Sequence, residues 1–106
     1  MRYLRVDWLH DFQDEPVVIY SELNAGNCEV RKVEVLRNGQ LHYADGKVCF
    51  GDAALSKEPL PRNDEIATDS QFRVVEISVS EFERIWSAAL NSLELPLEIK
   101  CLKKLS

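Results

Sequence analysis

A chain of 106 residues has room for one domain and one modest core. With 45% hydrophobic and 29% charged residues it has the makeup of an ordinary folded domain, which excludes a disordered chain. A formal net charge of −5 works against general binding to phosphate backbones and suits a basic partner.

The charge is uneven. Residues 1–51 carry eight acids against six bases, residues 52–94 nine against four, and residues 95–106 one against three, so the middle block is the most acidic. Cys28, Cys49 and Cys101 are odd in number and widely spaced, without a C-x-x-C pair, and His10 and His42 are the only imidazoles. That spacing does not make a zinc site and reads as reduced thiols in a cytosol. The N-terminal residues are broken by Arg2, Arg5 and Asp7, so they do not read as a signal peptide. Nor does any stretch approach the roughly 18–20 apolar residues of a membrane helix. The expectation is a cytoplasmic protein with no membrane segment, no cofactor and no metal.

Residues 2–9 alternate, with Leu4, Val6 and Trp8 on one side and Tyr3, Arg5 and Asp7 on the other. Period two with β-branched and aromatic members predicts a strand, buried on its Leu4/Val6/Trp8 face. The polar run from His10 to Pro16 is a loop, and Pro16 leads into a second strand over 17–23, with Val17 and Ile19 on one face and Val18, Tyr20 and Glu22 on the outer one. Asn24 to Asn27 is turn material. The next strand, roughly 28–37, carries Val30, Val33 and Val35 and is expected at the centre of the sheet. Its imperfect alternation calls for a β-bulge near Arg31-Lys32. It ends in Asn38-Gly39, a dipeptide that tolerates the positive φ of a tight hairpin. A fourth strand over 40–44, the Asp45-Gly46 turn and a short strand over 47–50 complete a meander.

Gly51–Arg62, with Pro59 and Pro61, reads as an irregular loop, and 63–69 as one or two helical turns. Residues 72–77 form a further strand. Ser78-x-x-Glu81 is a capping-box pattern, repeated at Ser80-x-x-Glu83. Phe82, Ile85, Trp86, Ala89 and Leu90 then make one apolar helical stripe. The fold class is α+β: an antiparallel meander of about five to six strands with one main C-terminal helix packed on one face. Residues 1–92 form the single domain. Residues 93–106 are a C-terminal extension packed on it, edge strand or short helix, with the alternation of Leu93, Leu95, Leu97 and Ile99 favouring the extended form.

Candidate chemistry is thin. His10-Asp11 is a loop pair with no positioned nucleophile, and the four glycines are turn residues that make no phosphate loop. Asp7, Asp11, Asp14, Glu15 and Glu22 lack the order of a calcium loop and read as solvation and cross-strand pairing with Arg5, Arg31 and Lys32, or as a patch for a basic partner. Tyr20 among these acids has the character of an interface anchor.

The segments Tyr3-Leu4-Arg5-Val6-Asp7-Trp8-Leu9-His10-Asp11, Asp14-Glu15-Pro16, Tyr20-Ser21-Glu22 and Glu29-Val30-Arg31-Lys32-Val33-Glu34, with the later Pro59-Leu60-Pro61, Glu65-Ile66, Phe82-Glu83 and Trp86, resemble a family of small bacterial domains of unknown function. The resemblance covers roughly residues 2–90 and brings no activity and no catalytic residue with it. In style such small acidic domains are similar to immunity proteins that neutralise toxins. The expectation is therefore an immunity-type binding protein, not an enzyme, that covers a basic toxin domain such as a nuclease through Asp7, Asp11, Asp14, Glu15, Tyr20 and Glu22. The block Asp64, Glu65 and Asp69 is a second candidate surface. A small hydrolase or ligand-binding domain using His10, Asp11 and Glu22 is the alternative.

Overall fold

The computed structural model describes residues 1–51 and 53–99, with side chains as far as residue 91. Six strands form one antiparallel sheet: β1 (Arg2–Trp8), β2 (Pro16–Leu23), β3 (Glu29–Leu36), β4 (Leu41–Asp45), β5 (Cys49–Phe50) and β6 (Phe72–Glu76). The order is β5-β4-β3-β2-β1-β6. The first five strands are thus a meander, and β6 returns to pair with the free side of β1, Leu4 opposite Glu76 and Trp8 opposite Phe72. Helix α1 (Asn63–Ile66) precedes β6, and α2 (Val79–Ile99) follows it. The α+β class and the meander agree with the periodicity of the sequence, and β2 and β3 are the two central strands.

Local chemistry sets the element ends. The Ser78 hydroxyl accepts from the Glu81 N–H at 3.1 Å, so the first of the two Ser-x-x-Glu patterns caps α2. At the β3–β4 turn only Gly39 has positive φ, 89°, while Asn38 does not. Asn38 acts through its side chain, which accepts from Gln40 N–H. The Asp45 carboxylate accepts from the Lys47 and Val48 N–H groups at 2.8 and 2.7 Å and closes the β4–β5 turn.

The bulge sits one residue earlier than the alternation implied. Glu22 pairs with Arg31 and Leu23 with Glu29, which leaves Val30 as the extra residue in β3. Beyond it, Arg31, Val33 and Val35 share one face, Lys32 and Glu34 the other. The extra residue also turns Glu29 onto the Lys32 face, so these two, three apart in a strand, form an ion pair at 3.2 Å.

Both faces of the sheet are covered. The apolar stripe of α2 packs Phe82, Trp86 and Ala89 against Val33 and Tyr43, with Tyr3, Tyr20, Leu41 and Phe50 around them. The face that carries Tyr3, Tyr20 and Glu22, expected to point outward, is therefore the one beneath the helix. The Leu4/Val6 face is buried as the sequence indicates, but by the loop after Gly51 and by α1. Hydrogen bonds from Leu60 N–H to the Asn27 carbonyl and from Ser56 N–H to Glu29 Oε1 fasten that loop down. Trp8 and Trp86 consequently lie on opposite faces.

The edge strand favoured for 93–101 is corrected over its described part: α2 continues to Ile99. A helix already nucleated gains a hydrogen bond with each residue added, which outweighs a period-two apolar pattern with no strand beside it. Pro96 lies inside this helix and forgoes one such bond. The rest of the extension, 100–106 with Cys101, lies outside the described residues. No described helix is long and apolar enough to cross a membrane.

Candidate functional site

Three of the six expected contact residues are built into the fold. The Glu22 side chain is 8% exposed and pairs with Arg31, Nε to Oε1 at 2.6 Å and Nη2 to Oε2 at 3.1 Å. The Tyr3 hydroxyl donates to the same carboxylate at 3.1 Å. Bonding to Arg31, partly opposed by burial, holds the Glu22 carboxyl below its ordinary value. Arg31 reaches on to Glu83 of α2 at 2.6 Å and lies over the rings of Phe82 and Trp86 at 5.0 and 5.1 Å. This group clamps helix to sheet. Tyr20 packs half-buried beside it. Asp7 is half-buried and accepts from Arg5 Nε at 2.9 Å.

Asp11, Asp14 and Glu15 are exposed on the β1–β2 loop and form no ion pair with any described residue. The loop around them is braced. Phe12 N–H donates to His10 Nδ1 at 2.9 Å, which leaves His10 Nε2 to donate to the Pro16 carbonyl at 2.7 Å. Arg37 Nη2 donates to the carbonyls of His10 and Phe12. Trp8, His10, Phe12 and Phe72 form an aromatic cluster, with ring centroids 4.3 Å apart for Trp8–His10 and 5.9 Å for Trp8–Phe72. Phe12 is nonetheless 59% exposed and its neighbour Leu9 49%. Neither was singled out from the sequence. The available signal was an apolar ring inside an otherwise polar loop.

The second acidic block differs. Arg62 pairs with Asp64 at 3.3 Å and with Glu65 at 3.9 Å, leaving Asp69 as the third acid, outside any ion pair with described residues. The trio His10, Asp11 and Glu22 does not converge. His10 stands beside Pro16, and Glu22 lies six positions farther along β2, about 20 Å at roughly 3.3 Å per residue. Both ring nitrogens of His10 are engaged with backbone.

Two cavities lie on the loop-covered face. One, of about 380 Å³, is walled by Val6, Ile19, Leu60, Ile66 and Phe72. Its polar floor is satisfied: the Glu29 carboxylate accepts from Ser21 Oγ at 3.0 Å and Ser56 N–H at 2.7 Å, and pairs with Lys32. The other, of about 310 Å³, lies under the β1–β2 loop, between Trp8, Asp14, Glu15, Glu34 and His42. No group of three or more His, Cys, Asp or Glu side chains among the described residues could hold a metal ion.

Comparisons with curated proteins and with solved structures find no match. The model of a domain family of unknown function, DUF6881, matches residues 2–91, which takes in all six strands, both helix starts and the braced loop; the chain belongs to that family.

Proposed function

We propose that this domain is a binding protein, not an enzyme, and that it seats a basic protein partner on the end of the sheet where the β1–β2 loop projects. In its narrower form the proposal is an immunity-type role: neutralising a basic bacterial toxin domain, such as a nuclease, by covering it. The observation that carries the reading is the exposed Phe12 on the same loop as Asp11, Asp14 and Glu15, three exposed carboxylates with no described ion-pair partner. An apolar anchor with a charged rim is the arrangement that gives an interface both affinity and fast, salt-sensitive association. The bracing by His10 and Arg37 lowers the ordering cost of binding. Asp7, Tyr20 and Glu22, being committed to internal partners, serve as support for that surface.

The test is co-purification with the product of the neighbouring gene, followed by calorimetry at two salt concentrations. Phe12→Ala should weaken the complex by about tenfold, the 1.4 kcal/mol of a modest anchor. The triple reversal Asp11→Lys, Asp14→Lys, Glu15→Lys should slow association and remove its salt dependence. No complex, or one indifferent to both changes, overturns the proposal.

A further inference from the structure

We propose that the 310 Å³ cavity under the β1–β2 loop is a pocket for an organic cation, the alkylammonium or guanidinium of a lysine or arginine side chain, with Glu34 as its counter-ion. The source is that side chain on the basic partner, so this inference rests on the function proposed above and deepens it.

Glu34 is the anomaly that points there. Its side chain is 14% exposed, and its ion pair with Lys32 Nζ is long, 3.9 Å, beyond hydrogen-bonding distance. Lys32 is already committed to Glu29 Oε1 at 3.2 Å and to the Ala54 carbonyl at 3.0 Å. No described residue donates a hydrogen bond to Glu34. Glu15 and Glu29 add like charge around it, against Lys32 and His42. A carboxylate taken so far out of water with only a long ion pair to a shared lysine is expensive to keep, and a second cation would relieve it.

The rest of the pocket suits a cation on an aliphatic stem. Trp8, Ile19 and Leu36 supply apolar wall for the stem. Asp14 and Glu15 stand at the pocket and are exposed. The volume is at the lower end of ligand pockets, right for one side chain and too small for a dinucleotide. The carboxylates repel phosphate, and they do not converge as metal ligands. Because Asp14 and Glu15 belong also to the exposed rim, the pocket and the proposed partner surface are continuous.

The test follows the Trp8 indole N–H by NMR while the protein is titrated with n-butylammonium, ethylguanidinium and, as neutral control, 1-butanol. The expected result is a saturable shift with both cations, none with the alcohol, and at least tenfold weaker binding in Glu34→Gln. The same variant should weaken the partner complex at least tenfold. No saturable shift, an equal shift with the alcohol, or a titration unaltered in Glu34→Gln overturns the pocket. A partner that binds Glu34→Gln as tightly as the unaltered protein overturns the assignment of its side chain to this pocket while the rim surface stands. A pocket that takes the probe when no basic partner binds overturns the surface reading and its side-chain source together.

Discussion

Replacing Arg31 by methionine probes the clamp between helix and sheet. Methionine keeps an unbranched stem over Phe82 and Trp86 but removes the charge. Glu22, 8% exposed, is then left with the Tyr3 hydroxyl alone. Orphaning one member of a buried pair costs about 3–5 kcal/mol. Arg31 is itself 19% exposed, which places the expected loss near the lower end, about 3 kcal/mol. That is a large share of the roughly 5–15 kcal/mol of a small domain. Glu83→Gln, which releases the other partner of Arg31, should cost about 0–1 kcal/mol, because Glu83 is 49% exposed. The assay is urea unfolding followed by tryptophan fluorescence, with the slope unchanged and the midpoint shifted.

Two further measurements isolate the cause. Arg31→Met with Glu22→Gln should recover most of the loss, since no charge is then stranded and the amide oxygen still accepts from Tyr3. The deficit of Arg31→Met should also shrink in acid. In the unaltered protein the Glu22 carboxyl is held low by Arg31, so its contribution is present above the ordinary value of 4.5 and is lost as pH falls through the lowered one. Without Arg31, burial raises the same group, and protonation relieves the variant. The two stability curves should therefore converge as pH falls. A loss under about 1 kcal/mol, or a double variant as unstable as the single one, refutes the stranded-charge argument.

Burial raises the Glu34 carboxyl, so Glu34 costs stability at neutral pH and the cost fades as pH falls through that raised value. Glu34→Gln should thus be more stable than the unaltered protein at pH 7, with the gain disappearing in acid, as read by thermal unfolding across pH. Gly51 has φ 76°, and a Cβ there would meet ring atoms of His42 at 2.3–2.5 Å. Gly51→Ala should cost about 1–3 kcal/mol in urea unfolding, from backbone strain and overpacking together. Asp45→Ala removes the acceptor for two turn N–H groups. It should cost about 1–2 kcal/mol and speed amide exchange at Lys47 and Val48.

Strands β1, β2 and β4 were legible because period two survives in them, and the helix because Phe82, Ile85, Trp86, Ala89 and Leu90 repeat at its own spacing. Which face the helix covers was not legible. Tyr3, Tyr20 and Glu22 carry polar tips, and polarity alone reads as exposure. What inverts it is Arg31: cross-strand pairing of these acids with Arg31 was expected, but its second pairing with Glu83, 52 residues away, is announced by no local pattern. The bulge was visible as broken alternation, although its place at Val30 depended on the register of β2. Of the candidate surface, Asp11, Asp14 and Glu15 could be read from a loop bounded by proline. The long, shared ion pair of Glu34 could not, since it follows from where Lys32 places its hydrogen bonds.

The return of β6 to β1 also has a kinetic side. The five-strand meander can zip from hairpin to hairpin over short loops, but β1 waits for a partner some seventy residues downstream. During synthesis its outer backbone groups stay unpaired until most of the chain has emerged. A truncated product ending before residue 72 would keep the meander's turns and yet expose a sticky strand along the amino-terminal border. The last third of the polypeptide therefore acts as the closure of that border.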